Sequence, residues 1–151
     1  MKREKDWPLD VFILIAPGFD EKLVILLISS FREAGIASAL VSLTPGLIKS
    51  FRGVQVHADL SIDQLPPTVL PRFIFVLETY SCASTLLADP RLHQLLERTV
   101  VEKRIVAVMP EARRLFQEIG FPDVMTMPEL VKFEPLLVRE YVNQIVGLLT
   151  D

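Results

Sequence analysis

The run from Asp10 to Ile15 is apolar without alternation, the pattern of a parallel strand covered on both faces. Pro17-Gly18 ends it, and Asp20 is placed to cap a helix over Glu21 to Ala34 that Gly35 stops. That helix carries Leu23-Val24-Ile25-Leu26-Leu27-Ile28, which is apolar on every side, so it requires cover on more than one flank. A chain of this length has little spare material for that cover. The first helix is therefore expected to form a homodimer seam through Leu23, Val24, Leu26 and Leu27.

The same punctuation continues along the chain. Ile36 to Leu43 reads as a second strand, Thr44-Pro45-Gly46 as a turn and Leu47 to Phe51 as irregular. Gly53 to Val56 is a short extended piece and 57–63 a connector. Arg72 to Leu77 is a third strand, Glu78 to Cys82 its exit loop and Ser84 to Leu87 a short helix. Asp89-Pro90 opens a helix to about Glu102, with proline at its first position. Arg104 to Met109 is a fourth strand, followed by a helix over Glu111 to Ile119 and a short strand at 124–126. A last helix runs from Glu134-Pro135 to about Leu149, with Leu137, Tyr141, Ile145 and Leu148 on its apolar stripe. Strands alternating with helices predict an α/β domain over residues 9–151, a flavodoxin-like three-layer sandwich with a mostly parallel central sheet. Residues 1–8 form a charged tail ahead of it.

Composition narrows the function classes. Half of the 151 residues are apolar and the mean hydropathy is +0.39, which predicts a packed core. A net charge of -3 argues against a nucleic-acid partner. The apolar runs are too short to cross a membrane, and the start lacks the pattern of a secretory signal. Cys82 is the only cysteine, so no internal disulfide forms, and a cytoplasmic setting is expected. His57 and His93 are scattered and suggest no metal site, nor is any cofactor expected.

Several segments together resemble the ThiJ/PfpI superfamily of the class I glutamine amidotransferase-like fold. They are Gly18-Phe19-Asp20-Glu21, Phe31-Arg32-Glu33-Ala34-Gly35-Ile36, Val56-His57-Ala58-Asp59-Leu60-Ser61, Ile105-Val106-Ala107-Val108 and Val124-Met125-Thr126-Met127-Pro128. The resemblance implies a dimer and a nucleophilic cysteine just beyond the fourth strand. It also implies a carboxylate on the first helix, a backbone oxyanion hole and a nearby histidine. At those positions this chain has Met109 for the nucleophile, Leu23 for the carboxylate and Met127 for the histidine. Pro110, which has no N–H, stands where an oxyanion donor is needed, and Glu78-Thr79 replaces a pair of glycines.

A thioether is no general nucleophile, and acyl transfer needs a base and an anion-stabilising site. The expected function is thus a non-catalytic binding or regulatory module, a pseudoenzyme acting as a homodimer and open to a protein partner. The alternative is a small-molecule hydrolase or amidotransferase-like enzyme relocated around Glu78, Tyr80 and Cys82. In that case Tyr80, Cys82 and Glu111 would line a pocket at the old crevice. Lys103, Arg104, Arg113 and Arg114 form a basic run in the sequence, read as a solvated face.

Overall fold

The computed structural model describes residues 10–66, 68–77, 80–128 and 134–150, with backbone alone at 80–83 and at 150. Its centre is a six-stranded sheet in the order β5-β2-β1-β6-β7-β8. The strands are β1 (Val11–Ile15), β2 (Ser38–Ser42), β5 (Leu60–Ser61), β6 (Phe73–Val76), β7 (Ile105–Val108) and β8 (Met125–Thr126). Every pairing among them is parallel. This is the α/β architecture expected from the apolar runs. Side chains of β1 alternate between two clusters, Val11, Ile13 and Ile15 in one, Phe12 and Leu14 in the other. The period of two in the strand thus feeds two cores, one on each face.

Helices α1 (Glu21–Glu33) and α5 (Pro135–Thr150) supply the first core, and α3 (Pro90–Val101) and α4 (Arg113–Glu118) the second. Between β6 and α3 lies α2 (Tyr80–Leu87), whose Leu86 joins the second core. The flank of α1 left over by the sheet is covered from within the chain: α5 packs on it. Leu23, Val24 and Leu27 are sealed in the first cluster, and only Leu26 of the four seam positions keeps partial exposure. The first three are therefore not available to a second subunit, contrary to their expected place in a seam.

Other boundaries shift for identifiable reasons. Leu47–Lys49, read as irregular, is β3, which pairs antiparallel with β4 (Gln55–His57) as a separate two-stranded sheet. Gly53, at φ 88°, takes the left-handed turn between them. The connector over 57–63 contains β5, too short to show a period. Cys82 is not in an exit loop, because α2 already begins at Tyr80. The buried stripe of α5 is Val138, Tyr141, Val142, Ile145 and Leu149, so Leu137 and Leu148 lie outside it. The helix is apolar enough on both sides of that stripe for a one-residue rotation to look equivalent in sequence.

Two of the resembling segments are tied together by charge. Arg32 at the end of α1 bonds Asp59 at 2.9 Å and the carbonyl of Ser38 at 3.2 Å. Asp59 in turn accepts the backbone N–H of Leu40 at 2.8 Å. The pair pins the helix end and the start of β5 to β2. Likewise Asp20 caps α1 by accepting from the N–H of Lys22 at 3.0 Å, and Arg52 bridges Asp20 and Glu21. Arg104 and Arg113 sit at opposite ends of β7, so the basic run is no single patch.

Asp89 caps α3 and its carboxylate is bonded by Arg91, whose guanidinium holds it below the usual carboxylate range. Arg91 also reaches Asp63 and the carbonyl of Leu43, clipping α3 to the loops beyond β2 and β5. Asp89→Ala should cost about 1 kcal/mol at neutral pH through loss of the cap. A depressed carboxyl contributes its stability above the unfolded-state pKa and loses it as pH falls through the folded one. The difference between wild type and variant should therefore shrink on acidification below about pH 4, as urea titrations across pH would show.

Candidate functional site

In an open parallel sheet, ligands collect beyond the carboxyl ends of the strands. Here those ends are Met109 after β7 and Met127 after β8. Met109 is 6% exposed and Met127 1%, and both belong to the same apolar cluster as Leu23 at 1%. Three positions, two of them more than a hundred residues from each other in sequence, thus belong to one core. Each contributes an aliphatic or thioether group, so at these three positions the core is apolar.

The backbone agrees with the side chains. Met109 has φ -68° and ψ 150°, ordinary extended geometry, and not the strained turn that lifts a nucleophile above a sheet. Its conformation is the one that a following proline favours. Pro110 begins a 3-10 turn, Pro110–Ala112, which separates β7 from α4. The Met109 N–H is directed to the carbonyl of Val76 at 3.4 Å and the Met127 N–H to that of Val108 at 2.8 Å. Those two donors are spent on holding neighbouring strand ends together. Arg113 closes the same end by bonding the hydroxyl of Thr126.

Glu111 and Pro110 lie exposed at the rim. Glu78 and Thr79 lie outside the described residues. Tyr80 and Cys82 fall in the first turn of α2. His57 in β4 and His93 in α3 are on elements that cover opposite faces of the sheet. Among the described residues no group of three His, Cys, Asp or Glu side chains is placed to share a metal ion.

Sequence reasoning did not foresee one polar group in this core. Tyr141 of α5 is buried edge-on to Phe75, its hydroxyl has no hydrogen-bond partner among the described residues, and burial pushes its pKa well up. It therefore stays a neutral phenol and is no candidate base. Two cavities lined by described residues lie elsewhere. One of about 710 Å³ lies between α3 and the segment after β5, lined by Ile62, Leu65, Arg91 and Leu95 among others. A second of about 420 Å³ continues towards Leu70, Val101 and Arg104.

The model of the DJ-1/PfpI family matches residues 10–121. The chain belongs to the DJ-1/PfpI family. Solved structures agree on the fold. A DJ-1 superfamily protein of Salmonella typhimurium superposes with TM-score 0.76 at 16% identity, covering 95% of this chain and 91% of that one. Drosophila melanogaster DJ-1beta gives 0.72 at 17%, with 91% and 88% covered. Oxidised Toxoplasma gondii DJ-1 gives 0.71 at 16%, with 94% and 98% covered. No curated protein sequence matches the chain. At these identities the structural likeness speaks for the fold alone.

Two substitutions test the closed site. Tyr141→Phe removes an unsatisfied buried hydroxyl and should leave stability unchanged or raise it by about 1 kcal/mol, measured by chemical denaturation. Met109→Cys, made in a Cys82→Ser background, should give a thiol that a disulfide reagent reaches slowly in the folded protein and quickly only after denaturation. A fast, acidic thiol would show that the site is open.

Proposed function

We propose that this DJ-1/PfpI family member is a non-catalytic binding or regulatory module that works as a homodimer. The observation that carries the reading is the burial of Leu23, Met109 and Met127 in one apolar cluster. A thiolate needs a polarising neighbour, and acyl transfer needs a base and a preorganised anion site. Among the described residues, the cluster members at the ends of β7 and β8, Met109 and Met127, offer none of these. The methionines act as adaptable filler in the volume that such machinery would need.

The setting proposed is cytoplasmic, where a single thiol stays reduced. No helix among the described residues is long and apolar enough to cross a membrane. The homodimer requires a surface other than Leu23, Val24 and Leu27, since all three are spent on the internal core.

Purified protein incubated with methylglyoxal, or with glutamine as an ammonia donor, should show no turnover above the buffer rate. Turnover that disappears in a Cys82→Ser variant would establish the rival enzyme around Glu78, Tyr80 and Cys82 and overturn this reading.

A further inference from the structure

The cavity of about 420 Å³ beside the end of α3 has an apolar wall that the site above does not use. Val101 on that wall is 76% exposed, the most exposed large apolar side chain among the described residues. Leu70 opposite it is half-buried. Lys103, at φ 59°, turns the end of α3 towards β7 and so sets Val101 and Arg104 on one cavity. Hydrogen bonds tie this place to the start of β1. The carbonyl of Asp10 accepts the N–H of Arg72 at 3.1 Å and that of Phe73 at 2.9 Å. The Arg72 carbonyl accepts from Ile105 at 3.1 Å, and the Arg104 guanidinium bonds the carbonyl of Leu70 at 3.4 Å. Leu70 is two residues from Arg72, hence no more than about 7 Å away along the chain. The cavity therefore opens at the amino ends of β1, β6 and β7, close to Asp10.

We infer that the segment ahead of β1 docks in this cavity of its own chain, with the Trp7 side chain against Leu70 and Val101. Residues 1–9 lie outside the described residues, so the occupant is named from sequence and reach. Trp7 precedes Asp10 by three residues, a span of up to about 10 Å. That matches the path from Asp10 through Arg72 to Leu70. An indole is a large apolar ring with a single N–H donor, and it suits a site with an apolar wall and a polar rim. Leu70 and Val101 supply the wall, and Thr68 and Glu102 stand on the rim. Arg104, exposed in the same lining, can lay its guanidinium over the ring face. Lys5 and Asp6 precede Trp7 with both signs of charge, and Glu102 and Arg104 present both signs to them. The contact is internal to one chain, so it depends neither on a homodimer nor on the absence of turnover.

Trp7 is the only tryptophan, so indole fluorescence reports on this segment alone. The folded protein should emit to the blue of its urea-unfolded form, and iodide should quench it several-fold less. Val101→Asp alters a side chain outside the core and should return the emission and the quenching to the unfolded values, with unchanged circular dichroism. Wild-type emission equal to that of the unfolded chain overturns the docking. A Val101→Asp protein that keeps the blue shift also overturns it, because the ring then rests on another surface, such as Leu148 near the end of α5. Where Val101→Asp fails to fold, Trp7→Cys combined with Val101→Cys in the Cys82→Ser background decides. Docked side chains fall within disulfide reach, so oxidation of the dilute protein should link the two thiols inside one chain. A chain that stays reduced, or that links only to a second copy, overturns the inference.

Discussion

Every residue of β1 from Val11 to Ile15 is buried, and its side chains divide between two cores, one on each face of the sheet. Covering both faces of such a strand is the constraint from which the rest follows. On one face it is met by α3 and α4. On the other it is met by α1 and α5 together, because α1 is too apolar to leave its outer flank in water. Once α5 is docked there, Leu23, Val24 and Leu27 are committed to the interior.

The carboxyl ends of the strands obey the same constraint. In a sheet that uses its crest for chemistry, polar groups and an open crevice interrupt the apolar packing. Here the packing runs on uninterrupted through Met109 and Met127. Pro110 fits this continuity: it fixes Met109 in extended geometry and contributes no N–H needing a partner. The segments that carry the family resemblance are employed in holding the scaffold. Asp20 caps and anchors α1, while Arg32 and Asp59 clamp the edge of β2. The polar residues that hold the scaffold are thus distinct from those at the crest.

Much of this was legible in the chain itself. Continuous apolar runs at 10–15, 72–77 and 104–109 marked parallel strands because strands buried on both faces need no polar alternation. Asp20 and Asp89-Pro90 marked helix starts because the first N–H groups of a helix need acceptors, and proline has none to lose. The substitutions at positions 23, 109, 110 and 127 could be read singly. The burial of Leu23, Met109 and Met127 in one apolar cluster could not, because it is decided by packing.

What the sequence determined by itself was thus the class of fold, the order of its elements and the chemical poverty of the positions where a site would stand. The tertiary structure alone decided which element covers α1, that β3 and β4 stand apart as a hairpin, and which stripe of α5 faces inward. The physical reason is the same in each case. Local pattern states how much apolar surface a segment must hide, but the segment that hides it is chosen by packing among parts remote in the chain, where short strands and all-round apolar helices carry no period to announce their partners.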